Sequence, residues 1–106
     1  MIQVIVTRSK DSIERIEVSG HAYTNDPGYD LVCAGVSSVM TGALNGFDQL
    51  DDNSELIMNE EPYISIRCMT VNKTNQILLQ FVLTQLKTIE FSHSDAIQIL
   101  EKEDIR

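Results

Sequence analysis

Scarcities in this chain narrow its function before any motif is read. It has two cysteines, Cys33 and Cys68, in 106 residues. Two cysteines make neither a disulfide scaffold nor a zinc ribbon, and in a reducing compartment both should be free thiols. Basic residues are few: 8 Lys and Arg stand against 16 Asp and Glu, a formal charge of −8. Free nucleic acid is a poor partner for such a chain, because binding it needs cationic contacts to phosphate. Aromatics make up 6% of the residues, with no basic-aromatic patch of the sort that grips single strands. No apolar run approaches the roughly 20 residues of a membrane span, so no membrane association is expected. The opening Met1-Ile2-Gln3-Val4-Ile5-Val6-Thr7-Arg8 alternates like a strand. It lacks the basic start and continuous apolar stretch of a signal peptide, so a cytoplasmic protein is expected. A phosphate loop and a dinucleotide fingerprint are both missing, so no cofactor is expected. Linkers, internal repeats and low-complexity tracts are missing too.

What is present reads as one domain covering residues 1–106, with 42% hydrophobic residues for a packed core. Ile2, Val4 and Val6 alternate, giving a strand over 2–8. After a turn at Lys10-Asp11-Ser12, residues 13–19 form a second strand, with Ile16 and Val18 on one face, and the two strands make a hairpin. Two glycines, a proline, Thr, Asn and Asp mark 20–29 as loop. Asp30 suits a helix N-cap, and Val32, Val36, Val39, Met40, Ala43 and Phe47 follow at helical spacing, predicting a helix over about 31–49. Strands follow at 55–59 and 63–69, joined by Asn59-Glu60-Glu61-Pro62. A second helix, capped by Asn72 or Thr74, runs to about Glu90 with Leu78, Phe81, Val82, Gln85 and Ile89 as its apolar stripe. The tail, 95–101, reads two ways: Ile97 and Ile99 alternate as in an edge strand, the preferred reading, while Asp95-Ala96 and Leu100-Glu101 also suit a helix. The order β-β-α-β-β-α-(β) predicts a layered α+β fold with a mostly antiparallel sheet and two helices.

Chemistry concentrates in Gly20-His21-Ala22 and Gly28-Tyr29-Asp30-Leu31-Val32-Cys33-Ala34-Gly35-Val36-Ser37, where His21 and Cys33 stand twelve residues apart. With Asp30 as N-cap, Cys33 would occupy N3, near unpaired N–H groups and the positive helix end, a placement that favours a thiolate. His21 could take the thiol proton and later protonate a leaving amine. Backbone N–H groups at Cys33 and Ala34 could stabilise an oxyanion. Such a set suits acyl transfer by a cysteine protease or amidase. The plainer reading keeps Cys33 as a small core hydrophobe. The charge of Asp30 or Asp26 could orient His21, and Asp26 equally suits the turn before Pro27-Gly28. Gly20 and Gly28 satisfy backbone demands, and Gly28 could hinge a loop. Ser37, one turn after Cys33, either bonds a backbone carbonyl or touches substrate. Cys68 sits in an apolar strand pattern and reads as core; His93, in Ser92-His93-Ser94, reads as exposed. A metal site at His21, Asp26, Asp30 and Cys33 is disfavoured by its mixed ligand set.

These residues resemble the signature of the ribosomal-processing cysteine protease Prp family: Gly-His-Ala, a short loop, then Gly-x-Asp-Ile/Leu-Val-Cys-Ala-Ala/Gly-x-Ser. The resemblance extends over essentially the whole chain, including Gln80, Leu83, Leu86 and Ile89 of the second helix. It implies a cysteine endopeptidase that removes the short N-terminal extension of a bacterial large-subunit ribosomal protein, number twenty-seven of that subunit. By position Cys33 matches the family nucleophile and His21 its base. Asp30 matches the acidic residue before the nucleophile, Ser37 the serine after it, and 22–29 a segment that shapes the substrate site. The resemblance also implies a homodimer and a substrate extension that is apolar and aromatic near the cleavage point, followed by a basic body. An apolar groove beside Cys33 on an acidic protein would suit both parts. Pro27 departs from the family by stiffening the loop. The competing reading is a non-enzymatic ribosome-associated binding module that uses the acidic surface.

Overall fold

The computed structural model describes residues 1–20 and 27–104, with 27–30 described by their backbone alone. The elements are β1 (Ile2–Ser9), β2 (Ser12–Ser19), α1 (Pro27–Leu50), β3 (Ser54–Asn59), β4 (Tyr63–Cys68), α2 (Lys73–Ser92) and β5 (Ile97–Glu103). They form the expected α+β arrangement: one five-stranded sheet ordered β3-β4-β2-β1-β5. β1–β2, β2–β4 and β3–β4 pair antiparallel, and only β5 runs parallel, beside β1.

Strand alternation sends one set of side chains into the core. Ile2, Val4, Val6, Ile16, Val18, Ile66, Cys68 and Ile97 meet Val32, Val36, Met40 and Phe47 of α1 and Leu79, Val82, Leu83 and Leu86 of α2. A bulge at Thr7/Arg8 changes the register from Thr7↔Arg15 to Arg8↔Ile13. The extra residue lets Ile13 join Ile16 in the core despite their odd spacing. The opposite sheet face carries a polar lattice. The Arg15 guanidinium donates to Ser65 Oγ (3.1 Å) and Tyr63 Oη (2.7 Å), and the Tyr63 hydroxyl donates to Glu17 (2.7 Å).

Both helices depart from their sequence expectation in an instructive way. α1 begins at Pro27, not at about 31. Proline suits a first helical turn, since its fixed φ is helical and the missing N–H has no intrahelical partner there. Asp30 is therefore the fourth residue of α1 rather than its N-cap, and Gly28 lies within the helix rather than in a hinge loop. α2 does start after Asn72, in a reciprocal capping box. Asn72 Oδ1 accepts from the Asn75 amide (2.8 Å), and Asn75 Oδ1 accepts from the Asn72 amide (3.0 Å). Its buried face, however, is Asn75, Leu79, Val82, Leu83 and Leu86. Phe81, expected inside, is 66% exposed. The expected stripe is one flank of this face: Val82 is buried and Leu78 and Ile89 pack against the core, while contact with the sheet selects Leu79, Leu83 and Leu86 as its centre. Gln76 fixes that choice: its amide donates to the Ile13 carbonyl (2.7 Å) and accepts from the Ile13 N–H (2.8 Å). The helix is thus pinned to β2 at the bulge.

Candidate active site

Cys33 is the seventh residue of α1, about 9 Å along the axis from Pro27. The expected N3 placement therefore does not hold, and Cys33 lies beyond the first turn of the helix. The same shift corrects the oxyanion expectation. In a helix begun at Pro27 the amides of Cys33 and Ala34 face the carbonyls of Tyr29 and Asp30. Ala34 itself is exposed and does not line the cavity described below.

What the helix does provide is a row. Val32, Val36 and Met40 anchor α1 in the core. One residue further round, Cys33, Ser37 and Thr41 follow at i, i+4 and i+8 along a single flank. That flank borders a cavity of about 310 Å³, within the size range of small ligand sites. Ile2, Val18, Met40 and Ile64 supply apolar lining, and Met58, Asn59, Glu60 and Pro62 of the β3–β4 hairpin face the row from across it. Cys33 is half-buried and packs against the core. The residue thus borders both packed side chains and an open groove, whereas Cys68 is buried.

Gly20 also borders the cavity, directly before His21. Its φ is +90°, and a Cβ there would fall 2.6 Å from the Met1 carbonyl oxygen. The Gly20 amide donates to the Pro62 carbonyl (3.3 Å). The backbone demand expected of Gly20 is thereby met: only glycine tolerates both the left-handed φ and the close approach. His21, Asp26 and the 22–26 segment lie outside the described residues, as does the side chain of Asp30.

Cys68 is the contrasting thiol. It is buried, and its Sγ donates to the carbonyls of Ile13 and Glu14, both at 3.4 Å. Burial pushes this thiol above its ordinary value, so Cys68 stays neutral in the core, as its sequence context indicated. His93 is exposed just past α2. Among the described residues, no three His, Cys, Asp or Glu side chains are grouped to hold a metal ion. Nor, among them, is any helix long and apolar enough to cross a membrane. The hairpin residues Met58, Asn59, Glu60 and Pro62 escaped sequence reasoning, because β2–β4 pairing brings them to the site from far along the chain. Thr41 alone had a readable signal, its helical offset of eight from Cys33.

The family described as "Cysteine protease Prp" matches residues 1–98. This chain belongs to the Prp family. It is 36% identical to the ribosomal processing cysteine protease Prp of Bacillus subtilis (strain 168), over 93% of this chain and 96% of that one. Among solved structures it is similar to the S. aureus Prp protease in complex with a covalently linked product peptide. The TM-score is 0.85 at 29% identity, covering 96% of this chain and all of the other. The S. aureus protease in complex with a substrate peptide also matches, with a TM-score of 0.80 at 28% identity over 96% of this chain and 100% of that one. Membership in the Prp family makes the chain a cysteine protease, and that identity removes the non-enzymatic binding module as the main reading.

Proposed function

We propose that this Prp-family chain is the endopeptidase that removes the N-terminal extension from large-subunit ribosomal protein number twenty-seven, with Cys33 as nucleophile and His21 as base. The observation that carries the reading is the half-buried Cys33 thiol on a partly apolar cavity, in a chain that matches Prp proteases nearly end to end. Cys33 gives its proton to His21, and its sulfur attacks the scissile carbonyl carbon. As the tetrahedral adduct collapses, the C–N bond breaks, His21 returns the proton to the departing amine, and a thioester remains. Water then adds to the thioester carbonyl, hydrolysing it to a carboxylic acid and restoring the thiol.

Ser37 stands one turn beyond Cys33 on the cavity and is assigned to substrate contact. Asp30 acts through its charge, orienting His21, and Gly28 through backbone accommodation near the start of α1. Ala34 receives no oxyanion role, since its amide belongs to the helix ladder. The apolar lining suits an apolar, aromatic extension, and the −8 charge suits a basic body behind it. Neither a cofactor nor a metal enters this chemistry. Processing of a ribosomal protein places the enzyme in the cytoplasm.

A homodimer is part of the same proposal. Its support is the exposed apolar side chains Ile77, Phe81 and Phe91 on and near the outer surface of α2. Sedimentation equilibrium should give twice the chain mass for the wild type and a lighter species for Phe81→Glu. The dyad is tested by steady-state cleavage of an extension peptide. Cys33→Ala and His21→Ala should each lose at least about a thousandfold in kcat, with the double variant little worse than either, as expected of groups that act as one unit. Full activity of His21→Ala would remove the dyad.

A further inference from the structure

The two edges of the sheet are treated differently. At β5, the Ile99 amide donates to the Glu90 carboxylate of α2 (2.6 Å), and Lys102 stands on the strand, so that edge is partly blocked. At β3, the residues Ser54-Glu55-Leu56-Ile57-Met58-Asn59 contain no lysine, proline or bulge, the usual guards of an exposed strand.

The register fixes which β3 groups are free. Asn53 accepts from the Met69 amide (2.7 Å), and pairing continues unbroken through Glu55↔Arg67, Ile57↔Ser65 and Asn59↔Tyr63. Hydrogen-bonded pairs alternate with non-bonded ones in an antiparallel ladder. The N–H and C=O of Leu56 and Met58 therefore point away from β4, toward the open edge. Met58 lines the Cys33 cavity, and it also lines a second hollow of about 250 Å³ with Leu44, Asn45, Asp48, Leu56 and Ile57. The two hollows adjoin at Met58, so concave surface follows from Cys33 to the open edge between α1 and β3.

We infer that the polypeptide substrate is held as a sixth strand on this edge, its backbone pairing with Leu56 and Met58. This rests on the reading of Cys33 as the nucleophile. An added strand gives affinity through main-chain bonds and sends alternate side chains toward α1. Leu44 and Leu56 offer apolar contact there, and Asp48 and Glu60 place negative charge along this concave surface, suited to a basic residue. The occupant is the substrate chain itself, because the open edge runs into the cavity that holds the nucleophile.

Amide hydrogen exchange on the full-length Cys33→Ala variant tests this, using a synthetic peptide of the ribosomal protein's N-terminal extension carried through its first basic residues. Saturating peptide should slow exchange at Leu56 and Met58 by about tenfold or more and leave Glu55 and Ile57, already bonded to β4, unchanged. In the wild-type background, Met58→Pro should raise the KM for this peptide well above Met58→Ala, since proline removes the donor without breaking a β4 bond. Failure of the peptide to bind, or binding without protection at Leu56 and Met58, overturns strand addition. The same protection growing with protein concentration in the absence of peptide also overturns it, assigning the edge to a second copy. Protection at both residues with no cleavage by wild type leaves strand addition standing and overturns the protease reading for that substrate.

Discussion

Cys33 and Cys68 show how one residue type takes two roles in a single fold. Cys33 sits where a helix flank meets a cavity, whereas Cys68 has both its neighbours and its proton committed to the core. Iodoacetamide on the native protein should add one alkyl group, on Cys33, and a second only after unfolding. Peptide mapping reads this directly, and native labelling of Cys68 would contradict the burial argument. Gly20 is the other residue under sharp constraint. Gly20→Ala should cost at least about 1 kcal/mol of stability, since the backbone cannot accept a Cβ at φ +90° beside the Met1 carbonyl. Denaturant unfolding measures that loss, and kcat/KM should fall with it because Gly20 leads into His21. The candidacy of Cys33, and the core fate of Cys68, were legible from pattern alone. The place of Cys33 within its helix was not, because Asp30 is a good cap residue that the fold does not use as one. Pro27 was the better guide, and its fitness for a first turn outweighed its loop-like company.

At the scale of elements, side-chain clamps decide how the helices sit. Gln76 satisfies both backbone groups of Ile13 at the bulge. Gln76→Ala takes away the acceptor of the Ile13 N–H and leaves the Ile13 carbonyl with the weaker Cys68 thiol alone, and should destabilise the fold by about 1–3 kcal/mol, read as a lower thermal midpoint with an unchanged helical spectrum. Asp51 joins three elements at the end of α1. It accepts from the Ser54 hydroxyl and from Asn72 Nδ2 (3.4 Å), tying β3 and the α2 cap together. Burial disfavours its charge, but these hydrogen bonds together outweigh that and hold the carboxyl below its ordinary value of 3.8. A depressed carboxyl contributes stability that is present above 3.8 and is lost as pH falls through the lower folded value. Asp51→Asn should therefore lower stability at pH 7 and flatten the acid limb of the stability profile below about pH 4, as urea midpoints across pH would show. Element order and strand alternation were readable from the sequence, but the last strand, Ile97–Glu103, was only half legible, because Asp95-Ala96 and Leu100-Glu101 suit a helix as well. The centre of the α2 face was not readable: Val82 is buried and Leu78 and Ile89 pack against the core as their spacing indicated, but only contact with the sheet makes Leu79, Leu83 and Leu86 the centre and leaves Phe81 outside.

Over the whole molecule, topology makes the site. Pairing of β4 with β2 carries the Asn59–Pro62 turn across to the Cys33 flank, a juxtaposition that no local pattern contains. Charge works at the same scale. If the proposed substrate with its basic body is the one cleaved, kcat/KM should fall several-fold as salt rises from about 0.05 to 0.5 M, mainly through KM, because screening shortens the reach of the acidic protein's field. The most direct test of the proposed activity is mass spectrometry of the ribosomal protein, still bearing its N-terminal extension, after incubation with the wild-type chain or with Cys33→Ala. A product shortened by the extension with wild type alone is the expected result. An intact substrate with wild type, or the same shortened product with Cys33→Ala, would contradict Cys33-dependent processing.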